Sequence, residues 1–429
     1  MKRKTLADIL GRALQRFFIA ALVTGLALGA GPTSVAHAAT ITVNSTADAV
    51  DAAPGDGVCA TAAKVCTLRA AVQEANALAG DDTISLPAGT YTLTIAGAET
   101  NAASGDLDVK GNLTITGAGA ATTIIDGNGG VTGDRVFYVL PGNVVTITGA
   151  TIQNGNPGSG FIGGGIYNAG TLTVVNSAIA GNSAGNGGAI YNDNLGTLTL
   201  INSTVMGNTA TFGYGAIDNA GTLILTNSTV SGNNTIGDGG GVHNDVSGTL
   251  TLENSTVSGN NATGVGGGIL NYGGVVNLNN VTITNNTANG SGGIHNAGGT
   301  VNFKNTLIAG NTSSGAGPDC AGTLASQGYN LVQNTAGCTI AGDTTGNIIG
   351  QDPLLGALTN NGGATQTHSL LPGSPAIDAG NPAAPGNGGN ACEASDQRGV
   401  ARPQGTRCDI GAYEWWQPVA WIYLPLILR

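Results

Sequence analysis

Charge is scarce in this chain. Asp, Glu, Lys and Arg make up 9% of its 429 residues, aromatic side chains 4%, and proline fills only 14 positions. A disordered chain would carry more charge and proline and less Val, Ile and Leu. Collagen needs glycine at every third place with abundant proline, and the 73 glycines here keep no such period. Basic residues are scarcest: between Arg135 and Arg398 the one cationic side chain is Lys304. No C-x-x-C occurs and no histidine lies near a cysteine, which leaves a zinc site without its ligands. What is present, glycine with alternating β-branched and leucine residues, indicates a β-rich repeat protein with many tight turns.

The first 38 residues read as an export signal. Lys2, Arg3, Lys4, Arg12 and Arg16 form a positive start, Phe17 to Ala30 an apolar stretch, and Ala36-His37-Ala38 a small-x-small cleavage site. A membrane anchor is the competing reading; the apolar run is short for one, and a cleavage motif follows it. No Arg-Arg pair is present, which favours general secretion over the twin-arginine route. Cleavage removes five basic residues and Asp8, leaving nine basic and 24 acidic ones, a net charge of −15. Such a surface repels nucleic acid, anionic membranes and soluble anionic polymers.

The cysteines fall in three local pairs: Cys59 with Cys66, Cys320 with Cys338, and Cys392 with Cys408. In an exported protein an even count suggests disulfides, and neighbour pairing is the simplest arrangement.

A segment, "GGGIYNAGTLTVVNSAIAGNSAG", begins at residue 163 and returns five times. Its leading aliphatic is Ile166, Ile190, Ile217, Val242, Ile269 and Ile294, at spacings of 24, 27, 25, 27 and 25 residues. A period of this length indicates a solenoid. Within each unit the apolar residues alternate, so the units are strands. Three short strands per coil, separated by Gly or Asn corners, describe a parallel β-helix, an all-β solenoid. Leucine-rich repeats have a similar length but need an L-x-x-L-x-L core, which does not appear.

Asparagines recur in three rows: Asn168, Asn192, Asn219, Asn244, Asn271 and Asn296; Asn176, Asn202, Asn227, Asn254, Asn280 and Asn305; and Asn182, Asn208, Asn233, Asn260, Asn285 and Asn311. Stacked coils lie ~4.8 Å apart, so each amide can reach the next one in its row. Asn also tolerates the left-handed backbone a corner requires. The loop between the first two rows varies in length and should bulge at one corner. Upstream, "GNLTITGAGAATTIIDGNG" and "VVTITGATIQNGN" read as earlier, less regular coils. With them the stack makes a rod on the order of 40 to 50 Å.

Terminal coils need covers. "CTLRAAVQEANALAG" carries Leu68, Val72, Ala75 and Ala79 at helical spacing, with Thr67 as N-cap and Gly80 as stop. Its polar residues Arg69, Gln73, Glu74 and Asn76 are expected on an exposed face, and a recognition helix is the competing reading. From about Asn347 the repeat breaks, and Arg398 and Arg402 can pair with Asp378, Asp396 or Asp409. The organisation expected is a signal peptide (1–38), an N-terminal cap (39–110), β-helix repeats (111–346), an irregular C-terminal cap (347–416) and an apolar tail (417–429). The tail is too short and proline-broken to span a bilayer as a helix.

"CTLRAAVQEAN" resembles the CSLREA motif of exported bacterial proteins, with Thr67 for Ser and Ala70 where the motif has Glu. The "GGAIYN" and "NSTVSGN" repeats are similar to right-handed β-helices of the pectin-lyase-like class and to polymorphic outer-membrane protein repeats. "LLPGSPAIDAG" with "DQRG…DIGAYEW" resembles the choice-of-anchor Q region. These resemblances imply a secreted or cell-surface bacterial protein and no particular chemistry.

The function expected is therefore a non-catalytic surface rod for adhesion or for envelope or matrix contact. The alternatives are a polysaccharide-active enzyme, hydrolase or lyase, and a glycan-binding module. A lyase needs cations for a uronate, and the regular rod has few. A hydrolase needs two carboxylates ~5 to 9.5 Å apart; Asp193, Asp218, Asp238, Asp245 and Glu253 are the rod's candidates. The position after the leading aliphatic holds Tyr167, Tyr191, Asp218, His243, Leu270 and His295. Asp218 and His243 are neighbours there and the catalytic candidates, and Tyr167 and Tyr191 are candidates for stacking on sugar. The alternative is an outward strand face that tolerates any residue. His243 and His295 stand ~10 Å apart, too far to share one metal ion. Asp238 and Asp245 are candidates for Ca²⁺; otherwise no cofactor is expected. Polysaccharide or other surface components are the partners expected, and nucleic acid is not. Nothing in the sequence addresses oligomeric state.

Overall fold

The computed structural model describes residues 38–315 and 317–416. The expected signal peptide, apart from Ala38, and the tail 417–429 lie outside the described residues.

A regular winding runs through Ile166–Asn168, Thr171–Val175, Ala178–Ala180 and Ser183–Ala184. Each segment pairs in parallel with its counterpart one winding on: Ile166 with Ile190, Leu172 with Leu198, Ile179 with Val205, and Ala184 with Ala210. Repetition builds parallel sheets of 18, 11 and 6 strands and a β-helix of about nine windings. The sequence predicts three strands per coil, whereas a regular winding has four segments in three sheets. The first corner, at Asn168–Gly170, turns the chain without taking it out of the 18-stranded sheet.

Alternation sends every second residue inward. Ile190, Leu198, Leu200 and Val205 of one winding lie fully buried on Ile217, Leu223, Leu225 and Val230 of the next. Burying each such side chain stabilises by about 1.5–3 kcal/mol, an upper estimate. The rows continue without a break from the N-terminal helix to Val332, as one apolar column.

The three asparagine rows do different work. In the first, each Nδ2 donates to the next Oδ1, from Asn168 through Asn192, Asn219, Asn244 and Asn271 to Asn296, at 2.7 to 3.0 Å. The second row is not an amide ladder. Asn176, Asn202, Asn227, Asn254, Asn280 and Asn305 take φ of 44° to 53°, supplying left-handed corners. The third row is a ladder again, but its fifth member is Asn286 and not Asn285. Elsewhere a left-handed glycine precedes the ladder residue, as Gly181 and Gly207 do; here Asn285, at φ 57°, takes the glycine's corner and Asn286 the ladder.

The N-terminal helix, α1, spans Leu68–Ala77, and the Thr67 hydroxyl accepts the Ala70 amide at 3.1 Å. Leu68, Val72 and Ala75 join the column. The helix's polar side is buried instead of exposed. Arg69 pairs with Asp48 at 2.6 Å, and the Glu74 carboxylate accepts the amides of Gly55 and Gly57 at 2.6 Å. These groups tie the preceding loop to the helix, so they offer no recognition face.

All six cysteines pair with their sequence neighbours. Cys59 is bonded to Cys66, with their Cα atoms 5.1 Å apart. Cys66 directly precedes the Thr67 cap, and its amide donates to Asn44 Oδ1 at 2.9 Å, so this bridge closes the loop that enters α1. Cys320 is bonded to Cys338 across 5.4 Å. Cys338 begins the strand Cys338–Asp343, which pairs with Cys320–Gln327, and the bridge therefore joins two successive windings near the end of the stack. Cys392 is bonded to Cys408 across 6.5 Å, and both are buried in the C-terminal segment. Gly380 lies against that bridge, where a Cβ would collide with the Cys408 sulfur.

The 347–416 segment is irregular, but it does more than close the last coil. It folds back along the flank of the rod. Thr365 donates to the Asn227 carbonyl, Gln397 Nε2 to the Thr229 hydroxyl, and the Thr256 hydroxyl to Gln397 Oε1. Further along, Glu393 N donates to Asn280 Oδ1 and Asn381 N to Asn305 Oδ1. The Ser, Thr and Asn side chains on that flank offer a row of unspent hydrogen-bonding groups, which the returning segment satisfies. Within it Arg398 pairs with Asp396 and Arg402 with Glu414, both beneath the surface. Asp378 instead accepts backbone amides of Thr406 and Arg407.

Candidate functional site

The row after the leading aliphatic extends further upstream than the repeat suggests. Asp108 pairs with Tyr138, Tyr138 with Tyr167, Tyr167 with Tyr191, Tyr191 with Asp218, Asp218 with His243, and His243 with Leu270. The Tyr138 and Tyr167 ring centroids are 4.8 Å apart and those of Tyr167 and Tyr191 5.4 Å. Tyr167 thus has a ring on each side, tilted at 47° to Tyr138 and near-parallel to Tyr191 at 22°. Tyr167 Oη donates to Asp193 Oδ2 at 3.2 Å. Burial, then Asp193, pushes the Tyr167 phenol well above its ordinary value. Tyr167 is flanked by rings on both sides, whereas Tyr191 has a ring on one side and Asp218 on the other.

Further along, the structure brings Asp218 and His243 together, with Oδ1 and Nδ1 2.7 Å apart. They are 5% and 3% exposed, so this stretch is not a permissive outer face. Tyr214 folds over from a neighbouring turn and stacks on the imidazole at 4.2 Å. Burial raises the Asp218 carboxyl, and the His243 contact opposes that rise. His243 Nε2 is buried without a partner. His295 lies beyond Leu270 and is held below the usual histidine range by burial. Asp238 and Asp245 both hold backbone: Asp238 Oδ1 accepts the Val265 amide of the next winding and Asp245 Oδ1 the Val246 amide of its own turn, both at 2.7 Å. Among the described residues no three His, Cys, Asp or Glu side chains converge as metal ligands.

The best-formed concavity lies upstream, where the sequence reading placed the edge of a cap. It is a groove of about 470 Å³ lined by Glu99, Asp106, Asp108, Asp134, Arg135, Tyr138 and Phe161, among others. Arg135 Nε stands 3.5 Å from Asp106 Oδ2 and 3.7 Å from Asp134 Oδ1, so the two carboxyl groups face one guanidinium. Asp134 Oδ2 also accepts the Asp106 amide at 3.2 Å. Glycine is required beside them. At Gly105, with φ +60°, a Cβ would collide with the Gly97 carbonyl and the Asp134 carboxylate.

Asp106 is 4% exposed, and desolvation, then Asp134 and Asp108, pushes its carboxyl up to about 8 against the pull of Arg135 and Arg69. Asp108 is fully buried and raised to about 6, chiefly by desolvation, with the Ala102 amide opposing. Its Oδ2 accepts that amide at 3.2 Å, and its Oδ1 has no partner. Phe161 stands 60% exposed on the groove wall. Chemically the groove sets an acid that keeps its proton at neutral pH beside a second carboxylate, against an aromatic wall.

No protein-family model matches the chain, and no curated protein matches it. Among solved structures, the crystal structure of pectate lyase Pel9A is similar, with a TM-score of 0.43 and 14% identity over 89% of this chain and 97% of that one. The fold assigned above rests on strand register and not on this likeness. The CSLREA and choice-of-anchor Q resemblances rest on their quoted motifs alone.

Asp106, Asp108, Asp134 and Arg135 escaped the sequence reading because the repeat alignment stopped short of them. A signal was present. "LDV" at 107–109 and "FYV" at 137–139 share the leading aliphatic or aromatic residue of "IYN", with Val where the repeat has Asn, which puts Asp108 at the head of the tyrosine row.

Proposed function

We propose that the protein is a polysaccharide-active β-helix, acting as a glycoside hydrolase in the Asp106 groove. The reading is carried by one observation: Asp106, whose carboxyl is pushed up to about 8, shares Arg135 with the Asp134 carboxylate in an open groove. Asp106 donates its proton to the glycosidic oxygen as the bond to the leaving sugar breaks, while a water molecule gives a proton to Asp134 and its oxygen bonds to the anomeric carbon. Asp134 supplies the second carboxylate that such hydrolysis needs. Phe161 offers a platform for a sugar ring. A lyase is disfavoured because Arg135, the one cation among the groove's described lining residues, already faces the Asp106 and Asp134 carboxyl groups. The three disulfides suit an oxidising, extracellular compartment.

Reducing-sugar release from a panel of plant, bacterial and fungal polysaccharides tests this. Asp106→Asn should abolish release while leaving binding within about threefold, a change of less than 1 kcal/mol. Release that survives this substitution would remove Asp106 from the chemistry.

A second reading is binding of a surface or matrix polysaccharide without cleavage, as an adhesin does. It is favoured by the low exposure of Asp106 and the complete burial of Asp108. Saturable binding with no product from any substrate would support it over hydrolysis.

A further inference from the structure

Taking the groove as a glycan site, as above, we propose that its ligand is a glycan bearing free, protonated amino groups, of the glucosamine type. Asp108 Oδ1 is the first reason. The side chain is fully buried, lines the groove and leaves one carboxylate oxygen with no donor. An unmatched buried acceptor is costly, and a charged donor from a ligand relieves that cost most strongly.

Charge along the row is the second. Asp193 and Asp218 follow the tyrosines in the direction away from the groove. Among the described residues lining the groove Arg135 is the one cation. It faces Asp106 and Asp134 and lies 5.4 Å from the Tyr167 ring centroid, so a uronate or sulfate approaching it would meet two acidic groups at the same place. Lys304 is occupied elsewhere, on the carbonyl of Gly389.

The character of the cation follows from geometry. A divalent ion needs several protein oxygens converging at fixed distance, and three such side chains do not converge here among the described residues. An ammonium group needs only an acceptor or two. Phe161, exposed on the groove wall beside Tyr138, favours a sugar over a lysine-rich peptide, because a pyranose ring has an apolar face to lay against it.

Calorimetric titration of the full-length protein with glucosamine oligomers, their N-acetylated forms, neutral glucan oligomers, oligogalacturonate and polylysine tests the proposal. Glucosamine oligomers should bind about tenfold tighter than the N-acetylated forms at low salt, the equivalent of one charged hydrogen bond. That preference should shrink as salt is raised. Asp108→Asn should abolish that preference, so that glucosamine and N-acetylated oligomers bind alike. If that variant does not fold, the salt dependence of the wild-type preference decides. Equal affinity for both forms, or tighter binding of oligogalacturonate, overturns the proposal. Polylysine binding as tightly as the glucosamine oligomers overturns the sugar assignment in favour of a basic peptide. Cleavage of a neutral glucan alone, lost in Asp106→Asn, would leave the hydrolase reading standing and sink this one. Glucosamine binding without any cleavage would do the reverse.

Discussion

Replacing Asn219 by alanine removes a rung from the middle of the first amide ladder. The Asn219 amide donates to Asn244 Oδ1 at 2.8 Å and to the carbonyls of Gly221 and Thr249 at 3.1 and 3.3 Å. Its own Oδ1 accepts from Asn192 at 2.7 Å. After substitution Asn192 keeps its contacts with Gly196 and Thr222, so its loss is partial. Asn244 Oδ1 loses its side-chain donor and remains fully buried. An orphaned buried acceptor costs about 1–3 kcal/mol, and with the small void the total expected is about 2–4 kcal/mol. Asn227→Gly is the matched control. Asn227 sits at a left-handed corner, φ 53°, and its Oδ1 has no partner, so glycine there should change stability by less than about 1 kcal/mol. Urea unfolding with disulfides intact, followed by far-ultraviolet circular dichroism, compares the two. Stacked repeats need not unfold in one step, so the shift in midpoint is the quantity to read. Equal shifts, or a larger one for Asn227→Gly, would refute the division of labour between the rows.

Three other outcomes follow from the same contacts. Asp106 has a folded carboxyl near 8 against an ordinary 3.8, so its contribution to stability is complete below about pH 4 and is lost as pH rises toward 8; thermal melts of Asp106→Asn should fall less over that interval than those of the wild type. Hydrolysis should weaken only as pH passes through about 8, where Asp106 gives up its proton in the folded protein, and a rate that climbs through pH 8 would contradict its role as acid. Gln397→Ala removes an amide that reaches Thr229, Thr256 and Thr365, and limited proteolysis should then cut the returning C-terminal segment several-fold faster while the rod stays intact.

The solenoid was legible because its signals repeat. A strand period of two, recurring at 24 to 27 residues, leaves no other way to bury Ile190 beneath Ile217 and Leu198 beneath Leu223. The ladder positions followed, except where two asparagines stand in succession at 285 and 286 and only backbone conformation tells them apart. The groove was not legible. It depends on Asp106 and Asp134, which stand 28 residues apart around an irregular winding, and no spacing rule relates them. The burial of Asp218 and His243 was hidden for a similar reason: Tyr214 reaches them from a turn of different length in each repeat. The returning C-terminal segment leaves no periodic trace, because it matches side chains on a surface instead of extending the stack.

The flank contacts divide the rod into two stretches with different freedom to evolve in length. From Asn227 to Asn305 the windings are tied side-on to a single passing chain, so adding or deleting one would throw every tie out of step. Between Ile190 and Asn219 neighbours pair with neighbours, and a whole module can be duplicated there without touching the groove lining or the flank ties. Each duplication would carry the groove ~4.8 Å further from the returning C-terminal segment. That stretch is an adjustable spacer, and its module count sets how far the groove stands from that tied flank.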